Sequence, residues 1–314
     1  MKKSHILDGV NQARFLPSYI LSLLLAVIFV QGGQQLAYLA LEPISAFLSL
    51  MLGFLGQGGF FEIFFNFALP FLLFGFVFMI LALFLWVRWA EGRSLATLGF
   101  VKKGSLVELV KGLAVGVLLF SLVALLMMLS GAGSFEWGQL TLEPFLYILI
   151  LLPLWMIQGG AEELVTRAWL LPVVVKNTNL PIGLLTSSLL FALLHLGNPD
   201  IGILPILPIL NIALFGLFAS LYLLRTYNIW GIIGLHAAWN FTQGNIYGFS
   251  VSGTGVDAAV LNFIPKTDLS WLTGGAFGAE ASIFSSLILL LAVIYLVLRM
   301  KKEGRLTEIV GKSR

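Results

Sequence analysis

Eight apolar runs divide this chain, at roughly 16–39, 65–87, 107–130, 144–173, 181–196, 203–225, 229–248 and 281–299. About 20 apolar residues carry a helix across a hydrocarbon core. The composition agrees with a chain built for lipid. Of 314 residues, 59% are hydrophobic and 11% charged, against about 25% charged in a typical soluble domain. The expected fold class is all-α: a polytopic membrane protein of about eight transmembrane helices. The fourth run is long and interrupted by Pro153 and Gly159-Gly160, and the fifth is short. Such irregularity is tolerated where a helix is buried in protein or lines a polar cavity.

The basic residues test the count. Lys2, Lys3 and Arg14 precede the first run, and Arg88, Arg93, Lys102, Lys103 and Lys111 cluster between the second and third. Lys176 and Arg225 follow the fourth and sixth, and Arg299, Lys301, Lys302, Arg305, Lys312 and Arg314 follow the last. Only Lys266 falls on the other side, and only Arg167 lies deep inside a run, away from its ends. The positive-inside rule then predicts that both termini are cytoplasmic. The net charge of +3 therefore reports topology, and no nucleic-acid partner is expected. The basic start Met1-Lys2-Lys3 is read as leading into a retained first helix, since the apolar run begins only near Phe15. The organisation expected is an N-terminal membrane region over 1–94, a core over 95–248, and a loop, last helix and basic tail over 249–314. Leu95–Phe100 reads equally well as an interfacial helix or a cytoplasmic loop, and the Gly, Ser, Thr and Asp-rich stretch 249–280 as an extracytoplasmic loop.

Within the apolar runs, a few ionisable residues stand out. Glu162, Glu163 and Arg167 lie in the fourth run, His195 in the fifth, and His236 with Asn240 in the seventh. A charged side chain at the centre of a bilayer costs roughly 2.5–3.5 kcal/mol on insertion scales, so an intramembrane ionisable group is a functional hypothesis by default. His236 and Asn240 are i and i+4, as are Glu163 and Arg167 and also Phe191 and His195, so each pair shares a helix face. Glu162 and Glu163 diverge by about 100° around a helix, so the expectation is that only one of them reaches a small site and the other supports it. Counted along the helices from the cytoplasmic ends, Glu162, His195, His236 and Asn240 lie at similar depths, roughly 12–21 Å in. Scattered structural polar groups would have little reason to match in this way. The third histidine, His5, is read as incidental.

These residue types suit hydrolysis. A buried carboxylate can take a proton from water and return it, a histidine can share that proton, and an asparagine amide can donate to a developing oxyanion. Glu162, His195 and His236 could alternatively hold zinc, with water in the fourth position. No HExxH motif is present. The chain has no cysteine, which excludes thiol catalysis. Ser187 and Ser188 lie near His195 in sequence but at least a turn away, and are read as ordinary helix hydroxyls. On these residues alone, a protease and an ion-coupled transporter stay close together. Single buried histidines and Glu–Arg pairs are also common structural elements.

The ordered set Glu162-Glu163-x-x-x-Arg167, Phe191-x-x-x-His195 and His236-x-x-x-Asn240 resembles the CPBP family, the CAAX prenyl proteases and bacteriocin-processing proteins, also called the Abi family. The resemblance covers roughly 95–248. It implies a CAAX-protease-like helical bundle acting as an intramembrane endopeptidase of the plasma membrane. It implies that Glu162 activates water with help from His195, that His236 and Asn240 polarise the scissile carbonyl, and that Glu163, Arg167 and Phe191 support the site. It requires no metal, although zinc held by Glu162, His195 and His236 is compatible with it. The partner implied is a peptide or membrane-anchored protein, prenylated substrates included. A transporter or a non-catalytic immunity or scaffold protein are the alternatives. One further motif, Gly112-x-x-x-Gly116, matches a helix-pairing pattern that can mark a dimer face.

Overall fold

The computed structural model describes residues 6–55, 68–202 and 205–312. His5, Lys2, Lys3, Arg314 and the starts of the second and sixth expected spans lie outside the described residues. Among the described residues, seven helices are long and apolar enough to cross a membrane: α1 (Tyr19–Ile44), α2 (Leu69–Ala90), α3 (Ser105–Leu129), α4 (Leu142–Asn177), α5 (Leu180–Gly197), α6 (Ile206–Thr226) and, after α7, α8 (Ile283–Lys302). The remaining expected span is α7 (Ile229–Phe241), prolonged by a π-helical stretch over Thr242–Ile246. It is helical, but its polar residues keep it out of the set judged by apolarity. Those polar residues are tolerable because α7 is buried by protein: every residue from Ile229 to Asn240 except Trp230 is buried.

Helix ends follow local chemistry. Ser18, Asn179, Asn228 and Ser282 each accept a backbone N–H from the first turn of α1, α5, α7 and α8. Each thereby satisfies a donor that the helix itself cannot. Against expectation, α4 is not broken at Pro153 or at Gly159-Gly160. The α-helix runs unbroken over Leu142–Glu163, and the irregularity comes immediately after, as a π-helical stretch Leu164–Leu170. Proline removes one i→i−4 bond, and α4 absorbs that loss without ending.

The glycines of α3 decide how the bundle closes. A Cβ on Gly112 would lie 1.9 Å from the Gly231 carbonyl oxygen, and one on Gly116 would lie 2.4 Å from that of Leu235. Gly234 of α7 returns the contact, 2.5 Å from the Leu109 carbonyl. The Gly112–Gly116 face is therefore occupied within the chain by α7, as small residues at helix crossings allow. Near the start of the chain, Glu91 accepts Trp86 Nε1–H at 2.9 Å and Trp169 Nε1–H at 2.6 Å, and pairs with buried Arg93. This fastens the end of α2 to the π-helical stretch of α4. The ring of Phe29 in α1 packs edge-on against Trp169.

The two polar segments carry more structure than their composition suggests. Leu95–Leu98 forms one 3₁₀ turn closed by Gly99 at φ 89°, and Leu98 is fully buried, so the segment plugs into the core and is not an interfacial helix. Stretch 249–280 contains strand β2 (Leu261–Pro265), antiparallel to β1 (Gly133–Trp137) from the α3–α4 connection. It then folds back over the bundle.

Gly112→Leu should destabilise the protein by about 3 kcal/mol or more, because the clash is with backbone that cannot move aside. Thermal unfolding in detergent measures this. Size-exclusion with light scattering should show the same oligomeric state for the folded fraction of both proteins.

Candidate active site

The chain places four helices around one histidine. His236 lies mid-α7, and Gly159 of α4 makes room for it: a Cβ there would sit 2.9 Å from the imidazole Cγ. His236 Nδ1 lies 2.9 Å from Glu163 Oε1. A carboxylate only accepts, so Nδ1 carries the proton and donates. On the other edge of the ring, Nε2 lies 3.6 Å from Glu162 Oε2. Of the two glutamates, Glu163 is fully buried and Glu162 is partly open. They diverge around α4, but the imidazole stands between them and offers one nitrogen to each.

Glu163 is fully buried, and so is its partner Arg167, with Nη1 to Oε1 at 3.1 Å. Arg167 Nη1 also donates to Thr166 Oγ1 at 2.7 Å. Its guanidinium carbon lies 3.9 Å from the centre of the Phe191 ring, close enough for a cation–π attraction. Gly216 of α6 leaves the room, since a Cβ there would come within 2.4 Å of Arg167 Nη2. Phe191 meets His195 edge-on with ring centres 4.7 Å apart and His236 at 6.1 Å, and Phe215 closes on His236 at 4.9 Å.

His195 ends α5, where the chain turns into a 3₁₀ segment. Its Nδ1 is 2.8 Å from the Phe191 carbonyl oxygen. That oxygen can only accept, so the proton again sits on Nδ1. The bond satisfies a last-turn carbonyl and leaves Nε2 as an acceptor. Asn240 donates its amide to Gln158 Oε1 at 2.9 Å, and an amide NH₂ retains a second donor.

These groups open on one cavity of about 400 Å³ lined by Glu162, His195, His236 and Asn240. One wall is apolar, with Val30, Leu69, Leu72, Leu73 and Phe76 from α1 and α2. Polar lining comes from Asn198, Ser252, Thr254 and Glu280. All seven residues singled out from the sequence meet here: Glu162, Phe191, His195, His236 and Asn240 line the cavity, and Glu163 and Arg167 are buried behind them. Three participants were missed. Gln158 precedes Glu162 by four residues on the same face of α4, a signal the spacing did offer. Asn211 and Glu280 carried no local signal, because only the tertiary fold brings them to the cavity. Ser187 donates to the Thr166 carbonyl at 2.8 Å and is structural. Glu162, His195 and His236 do not form a three-ligand metal group, nor does any other set of His, Cys, Asp and Glu among the described residues.

Arg167→Met should lower stability by about 3–5 kcal/mol, since it strands a buried carboxylate. The double variant Glu163→Gln/Arg167→Met should recover part of that loss. Unfolding of the single and double variants measures the coupling.

No curated protein and no solved structure matches the chain. Residues 144–242 match the family described as Type II CAAX prenyl endopeptidase Rce1-like. The match begins in α4, ends just past Asn240, and contains every residue of the three motifs. Over this segment, which carries all three motifs, the chain is similar to that CAAX-protease family.

Proposed function

We propose that the protein is an intramembrane endopeptidase that hydrolyses a peptide bond of a membrane-associated peptide or protein, using water activated by Glu162. The reading is carried by one observation: His236 is held by Glu163 on Nδ1 and faces Glu162 with Nε2, at the edge of a cavity open to a substrate chain. Glu162 takes a proton from water as the water oxygen attacks the scissile carbonyl carbon. The oxyanion that forms accepts the free amide N–H of Asn240, with the histidines sharing the proton load. Glu162 then returns its proton to the leaving amine as the C–N bond breaks. Glu163 positions His236, and Arg167 neutralises Glu163 so that the pair remains stable in a dry interior.

The apolar wall from α1 and α2 suits the lipid-facing part of such a substrate, a prenyl group among the candidates. The clustering of basic residues on one side of the chain supports cytoplasmic termini in a cell membrane. These steps use only the carboxylates, imidazoles and amide of the chain.

Glu162→Gln should reduce cleavage of a fluorogenic peptide library by at least about 10²-fold, the usual scale of a lost acid–base group. Thermal stability should be retained. Wild-type turnover should survive a zinc chelator. Full activity in Glu162→Gln would overturn the mechanism, and activity lost on chelation and restored by zinc would reassign Glu162, His195 and His236 as metal ligands.

A further inference from the structure

Glu280 lies outside the three motifs and outside the matched segment, yet it lines the same cavity as Glu162 and His236. It belongs to a 3₁₀ turn, Ala279–Ala281, just before α8. The turn is built firmly. Asn211 of α6 donates to the carbonyls of both Glu280 and Ser282 at 2.8 Å. Ser285 Oγ donates to the Ala279 carbonyl at 2.8 Å, and Ser286 Oγ donates to Asn211 Oδ1 at 2.6 Å. The Glu280 carboxylate accepts the Ser252 backbone N–H. Glu280 is only 8% exposed, and what remains open to it is the cavity.

The charges around this cavity are one-sided. Glu162 and Glu280 line it with two histidines, and no lysine or arginine does so among the described residues. Arg167 is turned away, already committed to Glu163 and Phe191. A substrate carboxylate beside an ionised Glu280 would meet a like charge in surroundings that screen poorly. A cationic side chain would find the Glu280 carboxylate held in place on the same cavity as Glu162 and His236.

We infer that Glu280 is a specificity-determining residue that binds a lysine or arginine side chain of the substrate peptide beside the scissile bond. The inference rests on the endopeptidase reading for its cleavage site but not for its binding chemistry. Burial pushes the Glu280 carboxyl up to about 7, with the hydrogen bonds from Ser252 and Gln243 and the nearby His236 opposing the rise. Glu162 and His195 are the other titratable groups on the cavity. The preference for a cation should therefore weaken as pH falls below about 7.

The test uses full-length protein in detergent and labelled peptides identical except for Lys, Gln or Glu, scanned through the positions beside the cleaved bond. Fluorescence anisotropy reads binding, and cleavage is followed on the same peptides. Wild type should bind the Lys peptide about tenfold more tightly than the Gln peptide, and the Glu peptide least, a tenfold ratio corresponding to ~1.4 kcal/mol. Glu280→Gln keeps an oxygen to accept the Ser252 N–H, so a purely structural role predicts an unchanged Lys-to-Gln ratio. The inference predicts a ratio near one. A wild-type ratio near one, an unchanged ratio in Glu280→Gln, or no measurable binding of the Lys peptide would each overturn it. A Glu280-dependent ratio without Glu162-dependent cleavage would sustain the inference and sink the protease reading.

Discussion

A charged pair sealed from water organises this molecule. Glu163 and Arg167 are fully buried 3.1 Å apart, and taking two ions out of water is expensive unless their geometry and remaining hydrogen bonds are good. The surroundings are arranged to meet that cost. Thr166 accepts from the guanidinium, Phe191 offers its ring face, and His236 donates to the same carboxylate oxygen. Arg167 Nε and Nη2 still lack hydrogen-bond partners, so the ring face is the main compensation on that side. Removing any one member leaves another stranded, which couples α4, α5 and α7 into one unit.

Close backbone approach is what allows the pair to exist. Gly159 admits the imidazole, Gly216 admits the guanidinium, and Gly112 with Gly116 brings α7 hard against α3. In lipid there is little hydrophobic gain in moving an apolar helix from tails to protein, so tight packing and polar contacts must hold the helices together. The π-helical stretch Leu164–Leu170 follows the glutamates directly. Such stretches occur often at functional sites, and this one spans Arg167 and the Trp169 that Glu91 anchors.

The cavity joins two kinds of wall. The apolar side comes from α1 and α2, which the Glu91 cluster and Phe29 lock onto α4. The polar side comes from the segment after α7, which supplies Ser252, pairs through β2 with β1, and then returns to bring Glu280 to the same cavity. A chain with an apolar anchor and a polar cleavable stretch matches both walls at once.

Much of this was legible from residue type and spacing. The apolar runs fixed a helical membrane bundle because lipid leaves backbone groups no other partner. The i, i+4 pairs placed Glu163 with Arg167 and His236 with Asn240 on shared faces, and similar depth hinted that they would meet. Other features were not legible, for physical reasons. Polarity alone cannot tell a short buried helix such as α7 from a weaker span. The angular argument separated Glu162 from Glu163 but could not show the imidazole ring that comes between them. The glycine pair in α3 specifies close approach but not the partner, which proved to be α7 of the same chain. Glu280 and Asn211 are far from the motifs in sequence and reach the cavity only through loop closure. The amino-acid sequence by itself determined the helices, their apolar faces and the residues able to move protons, because these follow from periodicity and side-chain chemistry. Tertiary structure alone decided which nitrogen faces which carboxylate and which distant acid joins the cavity, because those depend on contacts between helices that no local pattern encodes.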